Sequence, residues 1–184
     1  MLLLTLRGTP TLYYGDELGM QNVPIPPEEV QDPFERRVPG LGLGRDPMRT
    51  PMQWSAGSHA GFSTARPWLR VSPDYETVNA AAQRGDPKSM LALYTRLLAL
   101  RSSEPALQVG DFQIFQATKD VLAYRRGKTF LIALNLGCTP QRLSLARDGA
   151  VVLSTHLDRT QERAGNILDL RPDEGLIVRL AHGD

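Results

Sequence analysis

Cysteine is nearly absent from this 184-residue sequence, and histidine is scarce. Cys138 is the single cysteine, and the three histidines, His59, His156 and His182, are scattered along the chain. One cysteine can form no intrachain disulfide and no thiolate cluster for zinc or iron. We therefore expect no metal site and a reducing, cytoplasmic environment. Without a nucleophile at a recognisable spacing, His59 is expected to form loop hydrogen bonds rather than to act as a general base.

A strong net charge and long apolar runs are also missing. The 21 basic and 20 acidic residues leave a net charge of +1 without a block of Lys or Arg, which argues against binding to nucleic acid or to an acidic membrane. The N-terminal apolar run, Met1–Leu6, is too short for a signal peptide or a membrane span. An apolar content of 41% is that of a folded chain.

Turn-forming residues are concentrated in one part of the chain. The sequence has 16 glycines and 14 prolines, and 18 of these residues lie between Gly8 and Pro73. Proline removes a backbone donor and glycine loses the most entropy on ordering, so this stretch is predicted to be mostly loop. Its aromatic residues, among them Trp54 and Trp68, predict an ordered loop that needs a partner surface.

Regular elements are predicted on both sides of this loop. The apolar run Thr11–Tyr14 lies between turn residues and predicts one buried strand. Asp86 followed by Pro87 predicts an N-cap and the first position of a helix of roughly four turns, which ends before Pro105.

From Leu107 onward the sequence predicts short strands separated by turns, and seven such strands indicate an antiparallel sandwich. The predicted strands are Asp111 to Gln116, Val121 to Tyr124, Phe130 to Leu136, Arg142 to Leu145, Val151 to Leu153, Ile167 to Leu170 and Leu176 to Leu180.

Two candidate sites are disfavoured by their own pattern. The glycines of residues 40–44 run G-x-G-x-G without a following helix, so they lack the helix N-terminus that holds a pyrophosphate, and we expect no nucleotide cofactor. Asp16 and Glu17 are adjacent, whereas glycosidic hydrolysis needs two carboxyl groups aimed at one bond. We expect this acidic pair to bind backbone or basic partners.

The segment from Gly44 to Trp54 contains two arginines, an acid, an amide and an indole on a chain stiffened by two prolines. Arginine and aspartate can bind sugar hydroxyls, and a Trp offers a flat apolar face to a pyranose ring. A salt-bridged turn anchored by Trp54 explains the same residues equally well. Composition alone leaves both interpretations open.

Motifs in this part of the chain carry a family resemblance. The segments GTPTLYYGDELGM (8–20), GRD (44–46), RTPMQW (49–54), AGF (60–62), PW (67–68) and VN (78–79), in this order, resemble the C-terminal part of family 13 glycoside hydrolases. The nearest members are α-glucosidases and oligo-1,6-glucosidases, followed by trehalose synthases and sucrose-processing enzymes. The resemblance covers essentially the whole chain.

The resemblance implies a mixed fold: the end of a (β/α)8 barrel, with strand eight, a long loop and helix eight, followed by an all-β antiparallel sandwich called domain C. Residues 1–105 would be the truncated end of the catalytic barrel, and residues 106–184 would be domain C. Met1–Leu6 is similar to the end of the preceding barrel helix. This similarity implies either a gene remnant or a second chain that supplies the missing barrel.

Family members are retaining enzymes that use an aspartate nucleophile, a glutamate acid/base and a second aspartate on barrel strands four, five and seven. No residue of this chain matches these three, so the resemblance assigns no catalytic residue here. It implies that Arg49 binds the substrate sugar, that Arg45, Asp46 and Gln53 support the loop, and that Trp54 anchors it.

The intact enzyme would act on α-glucosides or oligosaccharides, and this chain alone would be inactive. A non-catalytic sandwich that binds sugar or protein, or one half of a split enzyme, is the alternative.

Overall fold

The computed structural model describes residues 1–181. His182 therefore lies outside the described residues. The chain divides into two compact units: one joins Met1–Thr11 to the chain from Leu93 onward, and the other is Leu12–Ala92. The predicted division at residues 105 and 106 stays a prediction, since these units group the chain by contact rather than by ancestry.

The helices are short, with one exception. The α-helices are α1 (Leu2–Thr5), α2 (Pro33–Arg37), α3 (Ala80–Arg84), α4 (Met90–Ser103) and α5 (Pro105–Gln108). Four single-turn 3-10 helices lie in the Gly/Pro-rich segment, at Asp16–Leu18, Pro27–Glu29, Asp46–Met48 and Ser58–Gly61. The segment is mostly loop, as its composition predicts, and the α1 turn agrees with the helical expectation for the N-terminal residues.

The long helix begins later than the sequence predicts. Ser89, not Asp86, caps α4: the Ala92 N–H donates to Ser89 Oγ at 3.1 Å. Asp86 instead accepts from the Lys88 N–H at 2.8 Å, so Asp86 and Pro87 form a turn before the helix. A serine N-cap serves as well as an aspartate, and the two signals lie three residues apart.

The strand predicted at Thr11–Tyr14 is not formed. Thr11–Tyr13 have no regular secondary structure and Tyr14 begins a turn. A strand is completed by the hydrogen bonds of a neighbouring strand, and among residues 1–181 the first strand begins only at Phe112. The residue preferences of this run are those of a strand, but the described chain offers it no partner.

The C-terminal part is an antiparallel sandwich, as predicted. Its strands are β1 (Phe112–Ala117), β2 (Val121–Arg126), β3 (Phe130–Asn135), β4 (Gln141–Ser144), β5 (Gly149–Ser154), β6 (Arg163–Ala164), β7 (Ile167–Leu170) and β8 (Gly175–Leu180). Six strands form one sheet in the order β1-β2-β3-β8-β5-β6, and β4 pairs with β7 in a second sheet. The two-residue strand β6 is absent from the prediction because it is too short to show an alternating pattern.

The two sheets enclose one apolar core. Alternate residues of β3 and β8, including Leu131, Ala133 and Val178, pack against Leu143 of β4 and Leu168 of β7. This arrangement follows from the period of two in a strand, which sends alternate side chains to the same face.

The Leu12–Ala92 unit has a small core of its own. Leu18, Met52 and Ala80 are buried together, with Met20 and Leu91 packed against them. The segment also buries polar side chains, among them Asp32, Asp46 and Gln53. Its order therefore depends as much on hydrogen bonds as on apolar contacts.

Candidate functional site

Arg49 lies at a hollow of about 610 Å³ within the Leu12–Ala92 unit. The segment before it is the 3-10 turn Asp46–Met48, and the Arg49 N–H closes this turn on the Asp46 carbonyl at 3.0 Å. The Arg49 side chain is half-buried, and its guanidinium forms no ion pair and donates no hydrogen bond to residues 1–181. The hydrogen-bond donors of this guanidinium can therefore bind a ligand.

Aromatic side chains make up much of the hollow. These residues are 42% to 55% exposed and line the hollow together with Arg49: Tyr13, Tyr14, Trp54, Phe62 and Trp68. The rings of Tyr13 and Tyr14 lie 4.9 Å apart. Flat apolar faces beside a hydrogen-bonding cation form a surface that suits a sugar ring.

Tyr14 connects the hollow to the arginine segment. Its hydroxyl donates to the Thr50 carbonyl at 2.9 Å. Burial and the neighbouring Tyr13 raise the pKa of Tyr14, and this rise outweighs the opposite effect of Arg49. Tyr14 is therefore a neutral hydrogen-bonding group at neutral pH.

Two buried aspartates hold the chain before Arg49. Asp46 Oδ2 accepts hydrogen bonds from the N–H groups of Gln31 at 2.6 Å and Asp32 at 2.8 Å. Asp32 Oδ2 in turn accepts from the N–H and from Nε of Arg45, at 3.0 and 2.8 Å. The hydrogen bonds from the Arg45 side chain are the main reason that the pKa of Asp32 lies well below its usual value.

Sequence reasoning missed Asp32. The residue also accepts from the Phe34 N–H as the N-cap of α2, with Pro33 in the first helical position. The pair Asp32-Pro33 has the same pattern of an N-cap followed by proline as Asp86-Pro87, so the sequence indicates a helix start at Asp32. Its pairing with Arg45, thirteen residues away, had no local signal.

Gln53 lies on the other side of Arg49 and is fully buried. Its Nε2 donates to Asp74 Oδ1 at 2.9 Å and to the Val78 carbonyl at 2.7 Å. The Gln53 carbonyl accepts from the Ala80 N–H at 2.9 Å. These contacts join the arginine segment to the start of α3.

Trp54 is placed by its backbone rather than by burial of its ring. Its N–H donates to the Ala60 carbonyl at 2.9 Å and its carbonyl accepts from the Ala81 N–H at 3.0 Å. The indole is 48% exposed and lines the hollow. The roles predicted for Arg45, Asp46, Gln53, Trp54 and Arg49 stay predictions, to which these contacts add a geometry.

The acidic pair beside the hollow binds its own loop, as predicted. Asp16 Oδ2 accepts from the Tyr13 N–H at 3.1 Å, and Glu17 Oε2 accepts from the Gly15 N–H at 2.9 Å. Both carboxylates therefore stabilise the turn that carries the aromatic residues.

The glycine-rich stretch also has an internal partner. The Glu35 carboxylate accepts hydrogen bonds from the N–H groups of Gly40 at 2.9 Å and Gly44 at 3.1 Å. These backbone donors bind a side chain of the same loop, which agrees with the predicted structural role. For His59, the recorded hydrogen bond uses the carbonyl, which accepts from the Phe62 N–H at 3.0 Å.

Two further findings concern residues 1–181 as a whole. They contain no group of three or more His, Cys, Asp or Glu side chains placed to hold a metal ion. None of their helices combines the length and the apolar character that crossing a membrane requires.

Comparison with known proteins identifies the family. Residues 1–110 match the catalytic domain of α-amylase. The chain belongs to the α-amylase family, glycoside hydrolase family 13. The resemblance found in the sequence motifs is thereby confirmed.

Curated relatives of this family 13 chain include two named for the cleavage of 1,6-linked glucosides. A glucan 1,6-α-glucosidase of Streptococcus dysgalactiae subsp. equisimilis is 33% identical over an alignment of 202 positions, which covers 98% of this chain and 37% of that protein. A probable oligo-1,6-glucosidase 3 of Bacillus subtilis (strain 168) is 35% identical over an alignment of 198 positions, which covers 94% of this chain and 35% of that protein.

A solved structure shares the fold. The trehalulose synthase MutB from Pseudomonas mesoacidophila MX-45 superposes with a TM-score of 0.86 at 31% identity, over 98% of this chain and 37% of that enzyme. The family 13 chain thus spans little more than a third of the length of these relatives.

Proposed function

We propose that this chain supplies the arginine-bearing substrate loop and the C-terminal sandwich of an α-glucosidase-like enzyme. The observation that carries the proposal is the Arg49 guanidinium, which has no hydrogen-bond or ion-pair partner among residues 1–181 and lies in a hollow lined by five aromatic residues. The names of the relatives, which include glucosidases and a trehalulose synthase, favour α-glucosides as the substrate class.

The hollow would bind a glucosyl unit of the substrate. The Arg49 fork would donate hydrogen bonds to sugar hydroxyls, and the rings of Trp54 and Trp68 would cover the apolar face of the pyranose. Asp46, Asp32 and Gln53 would act as positioning residues, because they fix the backbone on both sides of Arg49.

Tryptophan fluorescence tests this binding directly. The protein has two tryptophans and both line the hollow. A bound sugar should therefore change the fluorescence emission of both. We expect isomaltose to shift the emission of the unaltered chain and of the control variant Arg37→Ala, because Arg37 is an exposed arginine without an ion pair or side-chain hydrogen bond among residues 1–181. Arg49→Ala should lose the shift; an equal shift in Arg49→Ala would remove Arg49 from the site.

The bond-breaking carboxyl groups would lie outside this chain. Retaining hydrolysis requires two carboxyl groups about 5 Å apart across the scissile bond. Glu17 lines the hollow, but it accepts a hydrogen bond from its own loop, as Asp16 does. We therefore infer that the chain alone neither hydrolyses nor transfers a glucosyl unit.

An activity assay tests this inference. The purified chain should turn over neither p-nitrophenyl α-glucoside nor sucrose above a blank. Turnover that survives repurification and disappears in Glu17→Gln would contradict the inference and would place a catalytic carboxylate in the hollow.

A split enzyme makes a further prediction. If a second polypeptide supplies the rest of the barrel, co-expression of the two should restore glucosidase activity, and Arg49→Ala should abolish it. Full activity of that variant would exclude Arg49 from the active site. If no partner restores activity while isomaltose still binds, the chain is a sugar-binding module, which the exposed aromatic hollow also favours.

A further inference from the structure

A second hollow, of about 750 Å³, lies in the unit formed by Met1–Thr11 and the chain from Leu93 onward. Its wall consists of residues 7–10, the end of α4 and the end of α5. It is open to solvent, and two arginines, Arg7 and Arg101, line it. The hollow shares no residue with the Arg49 site.

Arg101 donates its hydrogen bonds only to backbone carbonyls. Its Nη1 donates to the carbonyls of Leu4 at 3.0 Å and Leu6 at 3.2 Å, and its Nη2 donates to that of Gly8 at 2.6 Å. These carbonyls satisfy donors and fix the chain after α1. They carry only partial charges, so the positive charge of Arg101 is not neutralised.

A third arginine, Arg126, contacts the backbone of Gln108, which lines the hollow. Arg126 is fully buried, and it donates to the carbonyls of Thr5, Gln108 and Gly110. Its Nε has no hydrogen-bond partner in the described part of the chain. Burial lowers the pKa of Arg126, and the like charges of Arg101 and Arg7 lower it further.

The cluster Arg7, Arg101 and Arg126 therefore has no anionic partner among residues 1–181: none of the three forms an ion pair with a carboxylate there. This is unusual, because buried or crowded charges are normally paired. Elsewhere in the same unit, Arg159 and Arg171 both pair with the buried Glu174. The arginine cluster at the hollow therefore carries a positive charge that no carboxylate of the described residues offsets.

We propose that this hollow binds a small phosphate-type oxyanion between Arg7 and Arg101. Arg7 is exposed and has no hydrogen-bond or ion-pair partner among residues 1–181, so its guanidinium can bind an oxyanion through two parallel hydrogen bonds. Thr9 and Ser102 also line the hollow and offer hydroxyl donors. Inorganic phosphate and the phosphate group of a sugar ester share this chemistry.

Calorimetric titration of the 184-residue protein tests the proposal. The probes are inorganic phosphate and glucose 6-phosphate, each at an ionic strength held constant with sodium chloride, because screening would otherwise mask the effect. We expect millimolar binding, as suits an exposed site with few contacts. Arg7→Gln should weaken it about tenfold, the worth of one charge-assisted contact.

Arg147→Gln is the matched control, since it removes one exposed arginine charge from the same unit without touching the hollow. It should bind as tightly as the unaltered protein. Arg7 forms no hydrogen bond or ion pair with residues 1–181, and circular dichroism will show whether Arg7→Gln keeps the fold. Equal binding in the two variants, or no binding to the unaltered protein by either probe, would overturn the proposal.

Tighter binding of glucose 6-phosphate than of phosphate would identify a phosphate ester as the ligand, and equal binding would identify free phosphate.

Discussion

The Asp32 carboxylate grips Arg45 twice: its Oδ2 accepts from the backbone N–H at 3.0 Å and from Nε at 2.8 Å. The Asp32 side chain is inaccessible to solvent, whereas that of Arg45 is about half exposed. The same aspartate caps α2, and its own N–H donates to Asp46. One buried carboxylate thus connects three parts of the loop that precedes Arg49.

Asp32→Asn should loosen this loop. An asparagine keeps one acceptor oxygen but loses the charge that pairs with Arg45, so the hydrogen bonds it accepts weaken. We expect the amides of residues 31–50 to exchange hydrogen about tenfold faster, measured by mass spectrometry. Asp169→Asn is the control, since it removes an exposed ion pair with Arg142 and such pairs contribute little. Equal exchange rates of these amides in the two variants would show that Asp32 does not stabilise the loop.

The contrast between Asp32 and the strands shows what the sequence could predict. Strands β2, β3 and β8 alternate or bury their side chains in runs that local pattern detects, and the turns between them contain glycine or proline. The pairing of β2 with β3 follows from their short connection. The pairing of β3 with β8 does not, because β4 to β7 lie between these two strands in the sequence. The strands of the sandwich were therefore predictable almost one by one, but the strand order of the sheet was not.

The arrangement around Arg49 was predictable only in part. The motif RTPMQW indicates Arg49 as a sugar-binding residue through a family resemblance. Gln53 and Trp54 belong to the same motif and are indicated with it. The hydrogen bonds from Gln53 to Asp74 and Val78 span more than twenty residues of irregular chain. Irregular loops have no period, so nothing local indicates which distant acceptor a buried donor will reach.

Gln53→Leu should destabilise the protein through its lost hydrogen bonds. Leucine has a similar volume but leaves Asp74 and the Val78 carbonyl without this donor. Loss of a buried donor costs about 1–3 kcal/mol, which urea unfolding will measure. Gln21→Leu serves as the control, because that side chain is exposed and donates only to the nearby Gly19 carbonyl. A loss no greater than that of the control would show that water replaces the Gln53 contacts.

Glu174 should make stability depend on pH. Burial raises its pKa, but hydrogen bonds from Arg171 and the charges of Arg159 and Arg171 outweigh burial and hold the pKa below its usual value. The unfolded chain then binds the proton more readily than the folded chain. The contribution is therefore complete above the unfolded pKa of about 4.3 and is lost as the pH falls through the lower folded value.

Urea unfolding between about pH 3 and pH 7 measures this dependence. Glu174→Gln should cost about 1–3 kcal/mol at neutral pH, because it removes the buried carboxylate that two arginines share, while Asp158 and Glu162 remain as their partners. It should also lose less stability on acidification than the unaltered protein does. Glu76→Gln should keep the original pH dependence, because Glu76 is exposed and its carboxylate has no partner within residues 1–181. An unchanged pH dependence in Glu174→Gln would refute the assignment to this group.

Gly61 lies in the turn that carries Trp54 and Phe62, two of the aromatic residues that line the Arg49 hollow. Its φ is +66°, and an added Cβ would lie 2.5 Å from Ser55 Oγ. The preceding carbonyl, that of Ala60, accepts from the N–H groups of Trp54 at 2.9 Å and Ser55 at 3.0 Å. Gly61→Ala should therefore cost about 1–2 kcal/mol for the left-handed backbone alone.

The turn and the sugar site should respond together to this substitution. Because Trp54 and Phe62 both lie at the turn and line the hollow, Gly61→Ala should alter tryptophan emission and weaken isomaltose binding. Gly165→Ala is the matched control, since its added Cβ meets no atom within 4 Å and its backbone is not left-handed. It should leave both measurements unchanged. If Gly61→Ala lowers the free energy of unfolding but leaves isomaltose binding intact, the turn supports the fold, and Trp54 and Phe62 do not contribute to the sugar site.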